Sequence, residues 1–156
     1  MTLELTLETA YANVLRANEP ALAEVSIRLT HAVLEQAPPI EPSEGAPGKL
    51  ELPSITLSAK KGREMIYGSG IFEVEMSVAY EDVAQREGSD GRRTDELFQA
   101  ATRPFIYANG SLMFTQAVSG FLCYGIRGRG AGSPPQLVNN TVTMQETALF
   151  VCTIPS

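Results

Sequence analysis

His31 is the chain's only histidine, so any Ser–His–Asp or Cys–His site would have to be built on it. No cysteine or second histidine stands beside it at metal-ligand spacing, and nothing locates a nucleophile. The stretch Gly68-Ser69-Gly70-Ile71-Phe72 is not the GxSxG elbow of serine hydrolases. The expectation for His31 is therefore a structural or surface role. Glu73 and Glu75 are two residues apart in an alternating segment, so both project from the same side of a strand. Two carboxylates there could ligate a metal or divide acid and base work. The same alternation favours an ordinary polar outward face, because no aspartate or histidine completes a cluster on that side.

The glycines at 125, 128, 130 and 132 superficially resemble a phosphate loop. The run lacks a GKS or GKT ending and leads into Ser133-Pro134-Pro135, where an anion site needs a helix N-terminus. A flexible hairpin loop is expected instead, with an inter-subunit arm as the alternative. In the arm reading Arg127 and Arg129 meet acidic neighbours or DNA. Lys60, Lys61 and Arg63 form a second basic cluster, placed by the pattern at a hairpin tip. Such a tip is usually solvated, but in a ring it could line a channel or face an acidic partner. These five residues are the candidate interface or lumen contacts. No catalytic residue, metal ligand or cofactor site is assigned, and a small metal-dependent hydrolase built on Glu73 and Glu75 is the less favoured alternative.

The bulk of the chain bounds these readings. Its 156 residues suit one domain, and 44% hydrophobic against 19% charged residues supplies one core and argues against global disorder. A net charge of -6 argues against a domain that coats nucleic acid, although local basic clusters can still touch it. Cys123 and Cys152 both sit in apolar stretches and are expected as reduced core thiols, a disulfide between them being the alternative. The acidic start Met1–Ala10 lacks the basic n-region and apolar run of a signal peptide, and no stretch approaches the roughly 20 apolar residues of a membrane span. Synthesis in the cytoplasm is therefore expected, and the sequons headed by Asn109 and Asn139 carry no meaning.

Local patterns set the elements that must carry these residues. Leu7, Ala10, Tyr11, Val14 and Leu15 mark one buried face of a helix over 6–17, with Thr6 as N-cap and Asn18-Glu19-Pro20 as its end. Residues 21–36 fit both a helix and a strand, since Val25, Ile27 and Leu29 alternate. Their length favours a helix. The Pro-rich 37–53 segment reads as an extended loop. Strands over 54–59 and 71–80 form a hairpin, and 85–93 is a solvated loop. Thr94 caps a helix that puts Leu97, Phe98, Ala101 and Phe105 in the core and ends or bends at Pro104. Asn109-Gly110 reads as a turn, 112–126 as one or two strands, 127–137 as a second extended loop, and 140–154 as a long final strand. Strands grouped in this way indicate a single α+β domain over 1–156, a mainly antiparallel sheet packed against two or three helices on one face.

This order of elements resembles the tail-terminator and tail-completion (head–tail joining) proteins of long-tailed bacteriophages. The resemblance is carried by the N-terminal helix, the Pro-introduced strand Leu52–Ala59, and the alternating strand Ile71–Tyr80. A charged loop, the helix Thr94–Phe105 and the closing strands complete it. It implies a virion protein forming a ring, typically of six subunits, that caps the tail tube and meets the head connector or a head-completion protein. Another neck or head-completion adaptor is the variant reading. The resemblance implies no catalytic residues and no membrane contact.

Overall fold

The computed structural model describes residues 2–34, 52–83, 92–129 and 132–154. The expected loops over 37–53 and 85–93 lie outside the described residues except at Leu52-Pro53 and at Arg92-Arg93.

Helix α1 spans Leu3–Asn18. It starts ahead of Thr6 because Thr2 serves as the cap, its hydroxyl accepting from the Leu5 N–H at 3.2 Å. The Thr6 hydroxyl instead donates back to the Thr2 carbonyl at 2.7 Å, one turn inside the helix. The expected apolar face is buried throughout, and Glu8 is buried with it.

The favoured helix over 21–36 does not form. A 3-10 turn at Pro20–Leu22 leads into β1, Ser26–Leu29, and then a short α2, Thr30–Leu34. The alternation wins because β1 pairs in parallel with Ser54–Leu57, so Val25, Ile27 and Leu29 all reach the core. Length was a poor arbiter here, since the segment is divided between two elements.

Strands β2, Ser54–Glu64, and β3, Phe72–Val83, form the expected antiparallel hairpin and extend beyond their expected bounds. Lys60, Lys61 and Arg63 therefore lie inside β2, not at the tip. Helix α3, Arg92–Thr102, passes into a 3-10 turn at Arg103–Ile106, as Pro104 dictates. The expected strand from Leu112 is instead helix α4, Gly110–Ala117. The Met113 N–H donates to the Asn109 carbonyl at 3.0 Å, so the expected turn opens a helix. A Cβ on Gly110 would stand 3.0 Å from the Ile126 side chain, so glycine permits the close seat of α4 on the next strand.

Strand β4 spans Leu122–Arg129 and β5 spans Ser133–Val138, and the chain returns as β6, Thr141–Thr153. The expected loop over 127–137 is thus largely strand. Against β6, β4 carries one extra residue between Cys123 and Gly125 and one at Gly128, whose φ is 56°, and β5 carries one at Pro134-Pro135. The glycine spacing is the signature of a bulged strand. Asn139 and Asn140, at φ 50° and 66°, close the hairpin in the left-handed conformation that a two-residue turn requires.

The sheet order is β1-β2-β3-β6-β4, with β5 also on β6, and only β1–β2 is parallel. The fold is α+β, a mixed and mostly antiparallel sheet with α1, α3 and α4 packed against it. Tyr11, Phe105, Phe114 and Phe150 form the aromatic centre, with neighbouring rings 5.0–6.4 Å apart. The Tyr11 hydroxyl donates to the Ala101 carbonyl at 2.6 Å, tying α1 to α3. Leu97, Ala101 and Phe105 are buried as expected, and Phe98 is partly buried against them.

Candidate functional site

Alternation on β3 sends Val74, Met76, Val78 and Tyr80 to the helix side and Glu73, Glu75, Ser77 and Ala79 to the other. Among the described residues no helix covers that second face. Pairing across the strands builds one row on it, in which Lys60 of β2 faces Glu75, Glu75 faces Leu149, and Leu149 faces Arg127 of β4. Beside this row, Glu73 binds two guanidiniums. Arg63 Nε lies 2.7 Å from one carboxylate oxygen and Arg127 Nη1 lies 3.5 Å from the other.

The structure thus brings together three of the five basic candidates, Lys60, Arg63 and Arg127, around the two glutamates. Lys61 points to the other side of β2, its Nζ 4.8 Å from the centroid of the Phe72 ring. Arg129 is placed by the backbone opposite Ala148 at the end of β4. With both carboxylate oxygens engaged by arginine, Glu73 is poorly suited to ligate a cation. Arg63 and Arg127 are both largely exposed, so the two pairs contribute little to stability and mainly fix where the charges stand.

His31 is coupled to a residue that the sequence did not single out. Its Nδ1 lies 2.5 Å from the Glu8 carboxylate, and its Nε2 lies 4.0 Å from Glu4. Glu8 is 0% exposed and also accepts the His31 N–H at 2.9 Å and the Ala59 N–H at 2.8 Å. The signal was present in the sequence. Glu8 lies one turn before Tyr11 and Ala12, inside the apolar stripe, and a carboxylate there must find donors. The reason it is needed is topological. The β1–β2 ladder pairs Leu29 with Leu57 and stops, because the chain turns into α2. Glu8 then satisfies the N–H groups of His31 and Ala59, which would be ladder neighbours had β1 continued. Glu8 thus clasps the point where β1 leaves β2.

A second buried acid, Glu19, closes the far end of α1. Arg103 Nη1 lies 2.5 Å from one of its oxygens, and the Tyr107 hydroxyl donates to the other. Burial, then the hydrogen bond to Glu19, pushes the Tyr107 phenol well above its usual range.

Two of the exposed apolar groups lie at opposite ends of the sheet. At one end Ile66 and the fully exposed Tyr67 occupy the turn between β2 and β3. At the other, every residue of β5 is exposed, and Leu137 (67%) and Val138 (60%) stand beside the Asn139-Asn140 turn. Among the described residues only β6 pairs with β5, so its outer edge is open. The prolines at 134 and 135 leave Gln136, Leu137 and Val138 as its pairing-competent part.

No protein-family model matches the sequence, and no curated protein matches it. Among the described residues no helix is long and apolar enough to cross a membrane.

Proposed function

We propose that this protein is a structural subunit of a tailed-phage virion that self-assembles into a ring, of six copies, at the head-proximal end of the tail. In this reading the ring caps the tail tube on one side and receives the head connector or a head-completion protein on the other. It acts by shape and edge recognition, not by catalysis.

The observation that carries the reading is the β5–β6 arm. An edge strand exposed along its whole length, with two large apolar side chains at its end, is a liability in an isolated monomer and is ordinarily covered. A neighbouring copy that adds a strand to Gln136–Val138, or accepts Leu137 and Val138 in a groove, would remove that liability through main-chain hydrogen bonds and apolar burial. Contact between unlike surfaces of successive subunits generates a ring when the rotation closes. Of the five basic candidates, Lys60, Arg63 and Arg127, grouped on the helix-free face, then mark where the ring meets an acidic neighbour or DNA in the lumen, while Lys61 faces the other side and Arg129 ends β4. The α+β fold with helices on one sheet face agrees with the architecture that the family resemblance implies.

The test is the oligomeric state of the purified chain, by sedimentation velocity and negative-stain imaging, alone and with tail tubes. Closed rings, or rings seated on tube ends, are the expected result. A protein that stays strictly monomeric at high concentration and ignores tail tubes overturns the proposal.

A further inference from the structure

Cys123 of β4 and Cys152 of β6 stand directly opposite each other in the sheet, and both are buried as free thiols. The backbone polar groups of Cys123 point away from β6. Its N–H donates to Thr115 Oγ1 at 2.9 Å, and the same hydroxyl lies 3.3 Å from its carbonyl, to which it can donate. In an antiparallel ladder, a residue whose N–H and C=O both face outward belongs to a non-hydrogen-bonded pair. Facing Cα atoms in such pairs lie about 4.5 Å apart, and their side chains approach most closely. That separation falls at the short end of the roughly 4.4–6.8 Å that a disulfide spans.

From this register we infer that Cys123 and Cys152 form a redox-modifiable pair, at which a small-molecule disulfide closes a cross-strand bridge between β4 and β6. Cys123, the slightly more accessible of the two, loses its proton, and its thiolate attacks one sulfur of the reagent RSSR, expelling RS⁻. The thiolate of Cys152 then attacks Cys123 Sγ in the mixed disulfide, forming the Sγ–Sγ bond and expelling the second RS⁻. Two cysteine thiols are oxidised by two electrons, one RSSR is reduced to two RSH, and the two cysteine protons are carried off with the leaving groups.

Burial governs the rate. It raises the Cys123 thiol to about 11 and the Cys152 thiol to about 12, so little thiolate exists near neutrality. The first attack therefore waits for β4 to lift from the sheet edge. Once formed, the bridge ties the start of β4 to the end of β6 and fixes the register from which the bulged strand begins. This inference is independent of the assembly reading.

The full chain is incubated to constancy in a glutathione and glutathione disulfide buffer at mildly alkaline pH with sub-denaturing urea, then quenched with acid. The expected product has lost two hydrogen atoms by intact mass, yields a Cys123–Cys152 linked peptide, and keeps its native circular dichroism. Its melting temperature should rise by several degrees, as a loop of this length implies. Cys123→Ser should give no internal bridge and at most a mixed disulfide at Cys152. Three outcomes overturn the inference, namely thiols that remain free at equilibrium, only mixed or intermolecular disulfides, or an internal bridge formed only with loss of native structure.

Discussion

Glu8 holds His31 by both its backbone and its ring, with the carboxylate 2.9 Å from the His31 N–H and 2.5 Å from Nδ1. The same carboxylate takes the Ala59 N–H, so one side chain of α1 fastens the point where β1 leaves β2. Glu8→Gln keeps one acceptor but turns an amide NH2 toward groups that are themselves donors. Its expected cost is about 1–3 kcal/mol, and Glu8→Ala should cost about 3–5 kcal/mol because buried donors lose their partner altogether. Urea unfolding followed by circular dichroism checks both. A change below about 0.5 kcal/mol for Glu8→Ala would contradict the clasp.

The β5–β6 turn offers a separate test. Asn139 and Asn140 both adopt positive φ, which asparagine tolerates and β-branched residues do not. Asn140→Gly should leave stability unchanged or raise it by a few tenths of a kcal/mol, whereas Asn140→Val should cost about 1–2 kcal/mol. Amide exchange along β5 should accelerate in the valine variant only.

That turn also marks how far the sequence could be read. α1, the β2–β3 hairpin and α3 follow from hydrophobic periodicity, β6 from its Thr- and Val-rich composition, and the α+β class from the grouping of the strands. β1 was obscured because its four residues sit in a segment that also satisfies helical spacing, and only the ladder with Ser54–Leu57 decides between them. α4 was obscured because Leu112, Met113 and Phe114 form an apolar run without a period, and Phe114 is buried against Tyr11 and Phe150 by tertiary contact. The glycines and prolines of 125–135 looked like a loop because bulges and loops demand the same residues. Of the candidate site, the five basic residues were visible by type. The meeting of Arg63 and Arg127 at Glu73 was not, since only the β2-β3-β6-β4 order brings those two together.

Stability should fall on the alkaline side, and the sign follows from the raised acids. Tyr107, Cys123 and Cys152 keep their protons in the folded chain to higher pH than when unfolded. The unfolded cysteines ionise near about 8.5 and the unfolded tyrosine near about 10, so above those values the unfolded state binds fewer protons than the native one. Their contribution is complete below about pH 8.5 and is lost as pH rises toward the folded values of about 11 and 12 for the thiols. Melting temperatures measured between pH 7 and 11 should decline. In the Cys123→Ser, Cys152→Ser double variant the decline should be shallower between pH 8.5 and 10.

The assembly reading makes its sharpest demand on Leu137 and Val138. Both are largely exposed in the single chain, so replacing them with serine removes no intramolecular core contact and should change stability by no more than about 0.5 kcal/mol. If neighbouring copies bury them, the same change forfeits roughly 1.5–3 kcal/mol for each side chain fully covered, at every interface of the ring. Sedimentation of Leu137→Ser, Val138→Ser should therefore show subunits released from the ring while the melting curve stays that of the parent. A substitution outside the arm, such as Leu112→Ser on α4, serves as the exposed-apolar control and should leave rings intact. Rings that persist unchanged in the arm variant would remove the arm from the interface, and an equal loss in the control would point to general surface hydrophobicity.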